Sequence, residues 1–173
     1  MAAGKTTAAN YLKEKYGAVT YRFSDMLRDV LVRLHLPLNR GNMQTLSTIL
    51  RQNYGEDLMS KVLTADLQAA SEPIIIAEGI RRPSDIIYLK QLPGFNLLYL
   101  KTSERARFER LAARSENPDD GKKTWEQFQA EGLQESEQKI KEIAAEARII
   151  IDNNGTVEQL NNQLDALIKN YAR

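Results

Sequence analysis

Apolar positions along the chain fall into two alternating patterns, stripes at helical spacing and short unbroken or alternating runs. Ala8, Ala9, Leu12 and Tyr16 share one helical face over Thr6 to Tyr16, and Gly17 supplies the stop. Ala18 to Phe23 alternates and is rich in β-branched and aromatic side chains, which predicts a strand. Ser24 or Asp25 then caps a helix with Leu27, Leu31 and Leu34 on one face, broken by Pro37. Asn42 to Asn53 gathers Met43, Leu46, Ile49 and Leu50 into a second amphipathic helix. After Gly55, Asp57 to Ala70 forms a third, with Leu58, Val62 and Ala65 inward. Pro73 to Ala77 is a continuous apolar run that predicts a strand buried on both faces. Ser84 to Leu92 is helical in pattern, and Phe95 to Leu100 is a further buried strand. Ser103 caps a helix reaching Arg114, and Ser115 to Lys123 is a polar loop. Thr124 to Ala145 predicts one long charged helix and Arg148 to Ile151 a strand. The closing helix, Val157 to Tyr171, carries Val157, Leu160, Leu164, Leu167 and Tyr171.

Strands that alternate with helices predict βαβ units, a parallel sheet and a ligand site at the carboxyl ends of the strands. The length, 173 residues, fits one domain, and 42% hydrophobic with 27% charged residues is a globular balance. Zero Cys excludes disulfides, thiolate nucleophiles and Cys-ligated metals, and a single His, His35, excludes a His-rich metal site or a Ser/His/Asp triad. His35 beside Pro37 is expected at a helix end. A formal charge of +1 gives no global attraction to nucleic acid polymers or acidic membranes, and no apolar run is long enough to span a bilayer. Catalysis falls to Lys, Arg, Asp, Glu, hydroxyls and backbone groups. No secretory leader pattern is seen, so a cytoplasmic location is expected.

Gly4-Lys5-Thr6-Thr7 is the second half of a phosphate-binding P-loop (Walker A), G-x-x-x-x-G-K-[ST], and an amphipathic helix follows it as that motif requires. Backbone N–H groups of Ala3 to Thr7 and the helix dipole would face a polyphosphate, Lys5 would bridge its β- and γ-phosphates, and Thr6 would offer a hydroxyl to Mg²⁺. The leading Gly and its feeding strand are expected in about ten apolar, β-branched residues ahead of Met1. If the chain is complete as written, weak ATP affinity and little catalysis are expected.

Glu14-Lys15-Tyr16-Gly17 and Phe23-Ser24-Asp25-Met26-Leu27-Arg28 resemble the E-K-Y-G and S-T-G-D-M-L-R strings of adenylate kinases, at the same distance from the P-loop lysine. By that resemblance Arg28 grips an acceptor phosphate and Asp25 lies near metal and acceptor; Phe23-Ser24 departs from the family's Thr-Gly. Glu78-Gly79-Ile80-Arg81-Arg82 looks like the D-G-x-x-R segment of nucleoside monophosphate kinases. It implies that Glu78 helps to hold Mg²⁺-bound water or acceptor and that Arg81 or Arg82, with Arg81 favoured, binds phosphate. Arg110 and Arg114, four apart on one helix face, resemble the R-x-x-x-R that leads into the kinase lid and neutralises the transferring phosphoryl group. Arg107 with Glu109 is surface by contrast, and Trp125 with Phe128 is packing. Ile151-Asp152-Asn153-Asn154-Gly155 closely resembles a segment of dephospho-coenzyme A kinases whose loop backs the ATP adenine, which implies that role for Asn154 and Gly155.

These resemblances imply a P-loop NTPase fold, three-layer α/β/α with a parallel sheet whose first strand lies ahead of this chain. A helical acceptor-binding region over residues 36–71 and a short lid over 115–123 complete one kinase domain. The implied activity is transfer of the γ-phosphoryl group of ATP, with Mg²⁺, to a small phosphorylated metabolite, preferably a nucleoside or deoxynucleoside monophosphate. Dephospho-coenzyme A is the alternative acceptor, and a nucleotide-binding protein or fragment without turnover the alternative class.

Overall fold

A computed structural model of the chain describes residues 2–113, 124–132 and 135–171. In chain order its first half holds α1 (Lys5–Tyr16), β1 (Val19–Arg22), α2 (Asp25–Arg33), α3 (Arg40–Tyr54), α4 (Leu58–Ala69) and β2 (Ile75–Glu78). Two 3₁₀ turns (Pro83–Ile86 and Leu89–Gln91) lead to β3 (Leu98–Lys101), α5 (Glu104–Ala113), α6 (Trp125–Gly132), α7 (Glu135–Ala145), β4 (Ile149–Asp152) and α8 (Val157–Tyr171). The chain divides into two compact units, Ala18–Phe95 and Met1–Gly17 with Asn96–Arg173. The four strands form two parallel pairs, β1 with β2 and β3 with β4, one in each unit. The parallel pairing is as expected, with two pairs in place of one sheet.

In the unit Ala18–Phe95, Val19 stands opposite Ile75 and Arg22 opposite Glu78, with a long helical crossover between them as parallel pairing requires. The core is Ala18, Phe23, Leu27, Leu31, Met59, Leu63, Ile86 and Leu89. Four expectations are not met. On α4 the buried stripe is Met59, Ser60 and Leu63, one position on from Leu58 and Val62, while Ala65 is exposed. Ser60 tolerates that burial because its Oγ accepts from Tyr88 N at 3.2 Å. On α3 the buried residue is Arg51, and Ile49 is exposed. Residues 84–92 form 3₁₀ turns instead of one helix, since the Asp85 carboxylate gathers the N–H groups of Arg81 and Arg82 at 3.0 Å each into a tight opening turn. β2 is also only half-buried along its length.

α2 ends at Arg33, before Pro37, and Leu34 is exposed. Leu36 N donates back to Leu31 O at 2.9 Å and His35 N to Val32 O at 3.0 Å, closing the helix with His35 in the left-handed region at φ 55°. That position favours glycine. His35→Gly is expected to raise stability by about 0.5–1 kcal/mol in urea unfolding; an unchanged or lowered midpoint would show the conformation to be unstrained.

In the second unit, Leu98 lies opposite Ile149 and Lys101 opposite Asp152. α1 buries Ala8, Ala9 and Leu12, and Gly17 caps its end in the left-handed region at φ 67°. α1 packs against α8, which buries Leu160 and Leu164 but leaves Val157 and Tyr171 exposed. Of the helix expected over 124–145, the described residues form α6 (Trp125–Gly132) and α7 (Glu135–Ala145), and residues 133–134 lie outside the described ones. Phe108 meets Trp125 and Phe128 edge-on at 5.3 and 5.6 Å, so these aromatics join α5 to α6 as packing. Glu109 pairs with Arg105 at 2.8 Å on the surface, whereas Arg107, expected there too, is half-buried over the Phe128 ring and pairs with Glu104 at 3.9 Å.

Asp165 on α8 accepts from Tyr11 (2.7 Å), Tyr16 (2.8 Å) and Lys15 (2.6 Å) of α1. The Lys15 ammonium first, then the two phenols, lower its carboxyl from 3.8 to about 2. A carboxyl depressed on folding stabilises above its unfolded value and loses that contribution as pH falls through its folded one. Thermal scans are expected to show a loss of stability between about pH 4 and pH 2 that is smaller in Asp165→Ala. Identical acid profiles would exclude the clip as a contributor.

Candidate phosphate-binding site

α1 opens without a side-chain cap. Its N-cap is Gly4 at φ 87°, and no acid stands in its first turn. A Cβ on Gly4 would collide with Nδ2 of Asn153, so the left-handed backbone and the close approach both require glycine. The carbonyl of Ala3, one residue earlier, accepts from Asn153 Nδ2 at 2.9 Å and from Thr102 Oγ1 at 3.3 Å. Asn153 is buried, and its own N–H extends the ladder to Lys101 O at 2.8 Å. The loop ahead of α1 is therefore fixed by residues at the carboxyl ends of β3 and β4. Lys5, Thr6 and Thr7 follow on the exposed first turn, where N–H groups and the helix dipole favour an anion.

Arg110 joins this site from α5. Its Nη2 donates to Gly155 O at 3.3 Å, and its Nη1 lies 4.0 Å from where a Gly4 Cβ would stand. The P-loop residues, Arg110 and the turn after β4 thus meet within one unit. Asn154 is committed to bracing that turn: its Oδ1 accepts from Ser103 N at 2.8 Å, and its N and Nδ2 both reach Asp152 Oδ1. Those N–H groups, the backbone one foremost, hold the Asp152 carboxyl below its usual range. Ser103 also caps α5, accepting from Ala106 N at 3.2 Å. Arg114 and the lid over 115–123 lie outside the described residues.

The other candidates belong to the unit Ala18–Phe95, at the carboxyl ends of its adjacent parallel strands. Ser24 is the N-cap of α2 but makes no side-chain cap bond, and Asp25 turns back so that Oδ2 accepts from Arg22 N at 2.9 Å. Glu78 Oε2 is held by Arg22 Nε at 3.1 Å, across the strand pair. Arg82 is held by Glu56 at 2.6 Å. Arg28 and Arg81 are exposed, and among the described residues neither guanidinium has an acidic partner. Gly79, at φ 91°, lets the chain leave β2 beside Phe23. Thr102, Arg51 and Asp85 had no motif to announce them, and Asn153, though within the Ile151 to Gly155 motif, takes no role from it; the contacts of Asn153 and Thr102 with Ala3, and the Arg51–Asp85 pair, join residues far apart in sequence.

Thr6 and Glu78 are the expected contacts for Mg²⁺. Among the described residues there is no cluster of three or more His, Cys, Asp or Glu, which agrees with an ion that is mostly carried by phosphate oxygens and water. The exposed Thr6 hydroxyl, in the unit that holds α1, fits such an ion; Glu78 belongs to the other unit and is already neutralised by Arg22.

The parallel βα units and the glycine-opened α1 define a P-loop kinase-like fold. The chain belongs to the AAA domain family, which matches residues 2–129. A shikimate kinase from Bacteroides thetaiotaomicron superposes with a TM-score of 0.63 at 15% identity, covering 100% of this chain and 94% of that one. A shikimate kinase from Acinetobacter baumannii, solved in complex with shikimate, gives 0.58 at 16% identity, covering 100% and 91%. In sequence, a protein of Methanococcus maripaludis named only as a UPF0200 protein is 27% identical over 169 residues, 96% of this chain and 91% of its own length.

Proposed function

We propose that the protein is an ATP-dependent phosphotransferase acting on a small phosphorylated acceptor, in the first place a nucleoside or deoxynucleoside monophosphate. The reading is supported chiefly by Arg28 and Arg81, two exposed cations that follow the carboxyl ends of the adjacent parallel strands β1 and β2 and have no acidic partner among the described residues, while Arg22 and Arg82 beside them are both paired. An acceptor phosphate is already anionic at neutral pH, so it needs cations to hold it and no base to activate it. Asp25, the one obvious base for a hydroxyl acceptor such as dephospho-coenzyme A, is engaged by the Arg22 N–H.

In this reading the α1 opening holds the triphosphate through backbone N–H groups and Lys5, with Asn154 and Gly155 in the turn that backs the adenine. Mg²⁺, when bound through Thr6, supplies charge neutralisation on the phosphate oxygens. An oxygen of the acceptor phosphate attacks the γ-phosphorus and the bond to the bridging oxygen of ADP breaks. ADP and a nucleoside diphosphate are the products. Arg110 and Arg114 offset charge on the transferring group.

ADP release measured with AMP, GMP, CMP, UMP, dTMP, dephospho-coenzyme A and shikimate tests the acceptor class. Turnover with a monophosphate is expected; turnover only with a hydroxyl acceptor would move the reading to the other class. Thermal stabilisation by ATP without ADP release from any of them would mark a binding protein. Arg28→Ala and Arg81→Ala are each expected to raise the acceptor KM by about 10- to 100-fold, the worth of one charge-assisted contact, with the KM for ATP unchanged. Equal loss for both substrates would remove the assignment.

A further inference from the structure

Asp85 is a buried carboxylate with three donors. Its Oδ1 accepts from Arg51 Nη2 at 2.8 Å, and its Oδ2 takes the backbone N–H groups of Arg81 and Arg82, both at 3.0 Å. The side chains of Asp85 and Arg51 are 3% and 8% exposed, so this ion pair is almost wholly removed from water. Arg51 comes from α3, within the helical region expected to bind acceptor, and its Nη1 also donates to the carbonyl of Glu56. The Glu56 carboxylate in turn takes Arg82 at 2.6 Å. One connected network thus runs from α3 to the backbone of the two arginines that follow Gly79.

A buried ion pair of this kind adds little stability over an apolar pair of similar volume, and its best-attested return is a fixed conformation. Here the fixed element is identifiable. The segment leaves β2 through Gly79 at φ 91°, a residue that by itself restricts the chain least. Asp85 ties the next two N–H groups to one oxygen, and Glu56 occupies the Arg82 guanidinium, while Arg81 has no acidic partner among the described residues.

We propose that Arg51 and Asp85 are positioning residues that set the backbone at Arg81 so that this arginine alone of the pair is presented to the acceptor phosphate. Arg82 is a structural member of the network, held by Glu56. The proposal rests on the phosphotransferase reading above, and it selects α3 as the element through which acceptor binding and the Arg81 turn are coupled.

The test is the double variant Arg51→Met/Asp85→Leu, which replaces the ion pair by apolar side chains and leaves no buried charge behind. With the monophosphate from the panel that gives the most ADP, the double variant is expected to raise the acceptor KM about tenfold, with the ATP KM held. A second measurement uses the unaltered protein: hydrogen exchange at the Arg81 and Arg82 amides is expected to be slowed at least about a hundredfold relative to the unprotected chain. Fast exchange at both amides would overturn the proposal even if the double variant does not fold. If Arg81→Ala raises the acceptor KM and the double variant does not, the positioning role falls and the phosphotransferase reading stands. If the unaltered protein releases no ADP with any monophosphate, that reading fails and the proposal falls with it.

Discussion

Lys5→Ala is expected to lower kcat on the order of 10²–10³-fold and to reduce the rise in melting temperature that ATP gives. The two halves of that result have the same origin. Lys5 is the first residue of α1, on an exposed turn with no acidic residue, and a helix N-terminus carries partial positive charge from its unsatisfied N–H groups. A cation there opposes the dipole, and alanine is the better helix former, so neither dipole nor propensity favours lysine at this position. The same field and the same ammonium favour a polyphosphate, whose charge shifts toward the β–γ bridge as the γ-phosphoryl group leaves. Loss of one such charge stabiliser costs two to three orders of magnitude in comparable sites. Turnover by ADP release, beside a thermal scan with and without ATP, checks both halves. Retained kcat would separate α1 from the chemistry, whereas lost activity with a lowered melting temperature in the absence of ATP would make Lys5 a structural residue.

The features that were legible in the chain are those written within a few positions. α1 with its Gly17 stop, the Ser103 cap of α5 and the span of α8 follow from short-range periodicity and end signals. Gly4-Lys5-Thr6 was legible because a phosphate nest needs a glycine at a fixed place, and the collision awaiting a Cβ at Gly4 is the physical form of that need. The failures share a different cause. The α4 sequence admits two apolar stripes one position apart, and the buried one includes Ser60, whose partner Tyr88 is 28 positions away. Arg51 on α3 looks solvated until Asp85, 34 positions on, is brought against it. Ala3 is braced by Asn153 across 150 positions, so no local window could have joined them. Periodicity records which side chains avoid water; it does not record which polar side chains have found each other. The site residues that escaped the sequence are accordingly its buried polar braces, while the exposed Arg28 and Arg81 and the half-buried Arg110 were open to motif resemblance.

Asp85→Ala is expected to destabilise the protein by about 3–5 kcal/mol, an appreciable part of the stability of any domain of this size. The cost is not the worth of the ion pair. Removing the carboxylate leaves the Arg51 guanidinium buried with only the Glu56 carbonyl and a 3.7 Å contact to the Glu56 carboxylate, its Nε already without a partner, and strips the Arg81 and Arg82 N–H groups of their acceptor. Arg51→Met alone is expected to cost less, because Asp85 keeps two N–H donors to offset its charge. Arg51→Met/Asp85→Leu removes both charges together but still leaves the Arg81 and Arg82 N–H groups without the Asp85 oxygen, so it is expected to cost about 1–3 kcal/mol, less than Asp85→Ala. Urea unfolding of the parent, Arg51→Met, Asp85→Leu and Arg51→Met/Asp85→Leu closes a double-mutant cycle with a coupling energy of about 2 kcal/mol or more. Additive losses would mean that the two side chains do not share one buried network, and a double variant as unstable as Asp85→Ala would mean that the unpaired backbone N–H groups, rather than the stranded guanidinium, set the cost.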